Sequence, residues 1–174
     1  MAKSIAASGP QAPDQIRQII ANIQTVLGDT LLPTGSDKAH ANITIATTTT
    51  KVRTNNAVYG IINGALFTKA STDNLWTLAG TVTNAKFNVF VLTLNVSGTA
   101  GAYMGTEGAT LAAVTFPSVP TGEIVVGFVI INPTGTGNFV GGTTALTDAT
   151  VVPNAVYINS PEFNPNILSL PNTY

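Results

Sequence analysis

The sequence predicts an all-β protein: an antiparallel β-sandwich or jelly-roll-like domain with one N-terminal amphipathic helix. Three observations carry that expectation. The chain holds 27 threonines, 16 asparagines and 16 glycines in 174 residues, a composition suited to strands joined by tight turns. Charged residues amount to 9%, against roughly 25% in an ordinary soluble domain, so neutral polar side chains must supply the solvent face. Short runs of β-branched and aromatic residues alternate with Gly-, Pro- and Ser-rich connections, and a helical period occurs in one place only.

That place is "PDQIRQIIANIQTVLG", which follows a small-residue arm with no apolar run long enough for a signal peptide. Pro13 and Asp14 suit a helix start and Gly28 its end. Ile16, Ile19, Ile23 and Val26 recur at alternating three- and four-residue steps, and Ile20 and Leu27 widen the stripe. Isoleucine at both core positions of a heptad favours trimers or tetramers over dimers. Two heptads are too short to stand alone, so these six residues are expected to serve oligomerisation or anchoring, or to pack on the chain's own β-domain.

"GDTLLPTGSDKAHAN" reads as a linker, giving a plan of arm, helix and linker over 1–41, a β-domain over 42–160 and an extended tail over 161–174. Within the β-domain, "ITIATTTTKVRT" reads as a weakly alternating edge or inter-subunit strand. "AVYGIINGALFTK" and "NLWTLAG" follow, separated by a turn at "KASTDN". "KFNVFVLTLNV" is apolar on both faces, with Phe90, Leu92, Leu94 and Val96 opposite Phe87, Val89 and Val91. "EIVVGFVIIN" repeats the pattern, with Ile124, Val126, Phe128 and Ile130 opposite Val125, Val129 and Ile131. Strands apolar on both faces are covered on both, by their own chain or by a partner.

Several kinds of chemistry are excluded or left without support. With a net charge of −1 and no basic run, the chain cannot neutralise a row of phosphates, so no nucleic-acid partner is expected. The absence of cysteine removes disulfides, thiol catalysis and zinc–thiolate sites. No stretch approaches the roughly 18 apolar residues of a membrane span, and no membrane partner is expected. "NPTGTGNFVGGTTAL" imitates a phosphate-binding loop, but Thr143 stands where the lysine belongs and no helical stripe follows, so it reads as a turn. His40, the sole histidine, sits in the expected linker. The acids form no close pair in sequence, although a fold could bring Asp73 and Glu107 together as a glycosidase requires. Trp76, between Leu75 and Leu78, fits core packing better than a sugar platform. No cofactor, metal or catalytic residue is expected.

From Ala57 to Ser160 the sequence runs "VYGIINGALFTKASTDNLWTLAG", then a long apolar strand ending in a glycine turn, then "LAAVTFPSVPTGEIVVGFVIIN" and "FVGGTTALTDATVVPNAVYIN". This block resembles virion proteins of tailed bacteriophages. The prolines before "PTGEIVVGFVIIN" and the glycine–threonine segment after it carry most of the likeness. The resemblance implies a capsid decoration (cement) or head-fibre protein with a β-sandwich body, trimeric and located on the capsid surface. Its expected partners are its own copies, as a homotrimer, and the major capsid protein. The alternative function is a fibre or adhesion module that binds a host surface glycan through exposed aromatics.

Overall fold

In a computed structural model, the described residues are the backbone of Thr30–Leu32 and residues 41–152 and 155–159. The predicted helix, with Ile16, Ile19, Ile20, Ile23, Val26 and Leu27, lies outside them, as do His40 and the tail. Twelve strands form within the described residues: β1 (Thr30–Leu32), β2 (Ile43–Ile45), β3 (Lys51–Thr54), β4 (Val58–Ile62), β5 (Ala65–Lys69), β6 (Trp76–Thr77), β7 (Thr81–Val82), β8 (Asn88–Asn95), β9 (Ala100–Met104), β10 (Glu123–Ile131), β11 (Phe139–Val140) and β12 (Val156–Asn159). All pairings are antiparallel, and the one helical element there is a 3-10 turn at Leu111–Ala113. The domain is all-β.

The largest sheet has the order β12-β10-β8-β9, and a three-stranded sheet has the order β2-β3-β6. β2 lies against β12 and β6 against β9, so the smaller sheet spans the larger from edge to edge. Two ties fix this approach. The Trp76 indole N–H donates to the Thr93 carbonyl at 2.9 Å, and the Ile43 N–H donates to Asn159 Oδ1 at 3.2 Å. Between the layers sits one core that includes Ile43, Val52, Trp76, Phe90, Leu92 and Leu94. A third sheet, β1-β4-β5, approaches β10 through β1 and β4, and β7 pairs with β11. Phe139 of β11 meets Phe90 edge-on at 6.0 Å, tying this small ribbon to the core.

β8 is buried on both faces, as its sequence demands, but β10 does not keep the alternation read from its sequence. Thr93 pairs with Val125 and Leu92 with Gly127, leaving Val126 as the extra residue of a β-bulge. Because side chains alternate strictly, one inserted residue exchanges the faces beyond it. Ile124 and Val126 therefore join Val129 and Ile131 in the core, while Phe128 and Ile130 turn to the far face with Val125.

Three further differences come from turns. Asn63 and Gly64, with φ of 50° and 72°, split "AVYGIINGALFTK" into the β4–β5 hairpin by a two-residue turn of the primed type. "ITIATTTTKVRT" is likewise a hairpin, closed by the Ala46 N–H to the Lys51 carbonyl. Its loop is pinned by Asp73 and Asn74, which accept from the Thr47 and Thr48 N–H groups at 3.0 Å each. Thr30–Leu32, in the stretch read as linker, pair with Ile61, Gly60 and Tyr59 as β1.

Two substitutions test the core and the close approach of its layers. Trp76→Phe removes the hydrogen bond to Thr93 and part of a buried ring, and should cost about 2–4 kcal/mol. The urea midpoint falls while the slope stays unchanged. A methyl group on Gly141 would lie 2.7 Å from the Leu78 carbonyl carbon and oxygen, so Gly141→Ala should destabilise by about 1–3 kcal/mol in the same measurement.

Candidate functional site

The stretch that imitates a phosphate loop holds no such site. Phe139–Val140 form β11, and turns rather than a helix follow Gly142. Its glycines serve close approach within the chain: Gly135 abuts the Thr150 carbonyl and Gly141 abuts Leu78. The acids act as loop anchors. Asp148 accepts from the Thr150 hydroxyl at 2.6 Å and from its N–H at 2.9 Å, and Glu107 accepts from the Thr83 N–H at 2.9 Å. Asp73 and Glu107 thus brace two different loops, each with its own hydrogen-bonded partner. Hydrogen bonds from Thr47, Thr83 and Thr150 hold Asp73, Glu107 and Asp148 below the usual carboxylate range. Among the described residues, no three His, Cys, Asp or Glu side chains group closely enough to hold a metal ion.

Of the aromatics that could build a sugar platform, Trp76 and Tyr103 are committed elsewhere, while Tyr59 is exposed. Trp76 is buried, and the Tyr103 hydroxyl donates to Glu123 Oε1 at 2.8 Å. Glu123 also accepts from the Thr93 hydroxyl on the neighbouring strand. These three residues occupy the far face of the four-stranded sheet, over Gly101, where a methyl group would lie 2.8 Å from Glu123 Oε2. Both carboxylate oxygens are therefore hydrogen-bonded within the chain. Asn95 also acts locally, its Oδ1 accepting from the Ser97 N–H and hydroxyl and from the Thr99 N–H.

Beyond this polar cluster the far face is apolar. Val91 pairs with Phe128 and Phe128 with Ile158, while Val89 pairs with Ile130 and Ile130 with Val156. The loop that leaves β9 returns over this face. Thr106 bridges Thr115, and Phe116 then meets Phe128 edge-on at 5.5 Å. Val89, Val91 and Thr93 are buried beneath, but the covering is incomplete. Phe116 is 56% exposed, Val156 on the edge strand β12 is 46% exposed, and Leu111 at the crest of the loop is 50% exposed. Neither Phe116 nor Val156 stood out in the sequence. "TFPSVP" carries only turn signals, and no periodicity tells which side of β12 faces solvent.

A second exposed apolar surface is the outward face of β4–β5. Val58, Gly60, Ile62 and Phe67 point to the core, which leaves Tyr59, Ile61, Leu66 and Thr68 outward. Leu66 is 69% exposed and Tyr59 37%. Such surfaces are suited to association rather than to chemistry. The sequence-predicted residues Ile16, Ile19, Ile20, Ile23, Val26 and Leu27 lie outside the described residues, so neither surface can be joined to them by contact. No protein-family profile matches the chain, and neither a curated protein nor a solved structure matches it.

The tyrosines on the large sheet make stability sensitive to alkali. Its hydrogen bond to Glu123, followed by burial, raises the Tyr103 phenol above its ordinary value, and burial pushes Tyr157 up to about 12. A phenol that holds its proton more tightly when folded contributes stability that is whole below about pH 10 and is lost as pH rises through the folded value. The urea midpoint should stay level from about pH 7 to 9 and fall between about pH 10 and 12. Tyr157→Phe should shrink that fall.

Proposed function

We propose that the chain is a non-enzymatic virion structural protein, built as a β-sandwich, that binds the outside of a phage capsid and reinforces it as a trimer. The observation that carries this reading is the exposed apolar rim at Phe116 and Val156, on a chain with 9% charged residues. An uncovered rim on so uncharged a surface is a liability in a free monomer and an asset in an assembly. The sequence resemblance to tailed-phage virion proteins supplies the kind of assembly.

Two contacts are then required, one to copies of the chain and one to the major capsid protein. The Phe116–Val156 rim serves the capsid. It meets an apolar seat between capsid subunits, and burial stabilises the contact at roughly 25 cal/mol per Å² of apolar area. No covalent step is involved. Because the rim carries no free charge, the attachment depends little on salt.

Light scattering should give three times the chain mass, and the trimer should pellet with heads of the phage that encodes it. Pelleting should persist in about 1 M NaCl, where exposed charge pairs are screened. Val156→Asp should lower the bound fraction about tenfold or more while leaving the melting curve of the free protein close to wild type. A stable monomer with no affinity for heads would overturn the reading.

A further inference from the structure

We propose that Asn63 is a site of spontaneous covalent modification, at which the chain loses ammonia and converts to aspartate and to β-linked isoaspartate. The reaction needs only water and does not depend on the virion reading. Of the 16 asparagines in the sequence, Asn63 alone is followed by glycine. Asn63 and Gly64 form the β4–β5 turn, at φ of 50° and 72°, and Asn63 is exposed. Ala65 and Leu66, which follow the turn, are exposed as well. The tip of such a hairpin opens locally at little cost while the rest of the sheet stays formed. A methyl group on Gly122 would lie 3.3 Å from Asn63 Nδ2, so the side-chain amide rests against the turn that leads into β10.

The chemistry uses atoms of Asn63 and Gly64 alone, together with water. The Gly64 backbone nitrogen attacks Asn63 Cγ and gives up its proton. The Cγ–Nδ2 bond breaks, and that proton, passed through solvent, ends on the departing ammonia. A cyclic succinimide remains, and water adds to either of its carbonyls. Opening at one gives aspartate, and opening at the other gives isoaspartate, whose backbone runs through the former side chain. Glycine favours the attack because no Cβ crowds its nitrogen and its backbone reaches the required dihedral angles freely. Asn55 and Asn56 precede asparagine and alanine, whose Cβ atoms hinder the same step. The two products differ in consequence. Asp-Gly suits the same primed turn. Isoaspartate adds a backbone carbon to a two-residue connection, which then no longer matches the Ile62–Ala65 pair that closes the hairpin. Either product adds a carboxylate to a chain of net charge −1.

The test incubates the folded full chain in mildly alkaline buffer, beside a synthetic peptide of residues 54–69. Trypsin, cutting after Arg53 and Lys69, releases the same peptide from the protein, and it carries Asn55, Asn56 and Asn63 together. Mass spectrometry should find the amide-to-carboxyl change at Asn63 about tenfold faster than at Asn55 or Asn56, a ratio that a small difference in barrier supplies. The rate should rise with hydroxide concentration, and the converted peptide should resolve into two isomers. Asn63→Asp carries the charge without the added carbon and should unfold close to the wild-type urea midpoint. The aged protein purified by ion exchange, which carries isoaspartate, should unfold at lower urea. An Asn63 that stays unchanged in the folded chain overturns the proposal, whether or not the free peptide converts. Faster conversion at Asn55 or Asn56 overturns it as well.

Discussion

The pairing of β8 with β10 is the constraint on which the rest of the domain depends. β8 carries Phe90, Leu92 and Leu94 on one face and Val89, Val91 and Thr93 on the other, and all six are buried. A strand with that pattern has no solvent face, so both of its faces must be covered. The smaller sheet does this on the core side, tied by Trp76 to the Thr93 carbonyl. On the far side, among the described residues, a returning loop gives partial cover, its Phe116 reaching Phe128. The bulge at Val126 decides how severe that shortage becomes. By exchanging faces it places Val129 and Ile131 in the core and sends Phe128 and Ile130 outward. Without the extra residue Phe128 and Ile130 would take the place of Val129 and Ile131 in the core, and the far face would carry the smaller pair.

The polar groups of the domain are used to hold loops in place. Among the described residues, three of the four non-glycine positions with positive φ are asparagines, Asn42, Asn63 and Asn74, where a short amide side chain tolerates the left-handed backbone. Asp73, Glu107 and Asp148 accept backbone N–H groups that the turns would otherwise leave unpaired. Asn88, fully buried, accepts from the Val89 N–H and donates to the Gly105 carbonyl. What the described residues present outward includes apolar area, at the Phe116–Val156 rim and at the β4–β5 face.

Much of the strand content was legible in the sequence because β8 and β10 are long and strongly apolar. Trp76 was legible as a core residue from its leucine neighbours. The hairpin at Asn63-Gly64 carries the strongest short-range turn signal in the chain, yet the flanking residues are apolar throughout, which makes the two strands read as one. The β2–β3 hairpin hides in a run of threonines whose turn is held by Asp73 and Asn74, some 26 residues away in sequence. The heptad stripe, in contrast, is visible only as a period, and its partner is a tertiary or quaternary matter.

By itself the sequence determined the class of this protein: extended strands, tight asparagine and glycine turns, almost no charge and no cysteine. These follow from local side-chain chemistry, which acts over a few residues and needs no partner. Only the tertiary structure decided which face of β10 is core, that Thr30–Leu32 join a sheet, and that Phe116, Val156 and Leu66 stand exposed. Each of those depends on a one-residue register or on a contact between distant segments. Shifting an alternating pattern by one residue leaves its composition and period untouched while exchanging its inside for its outside.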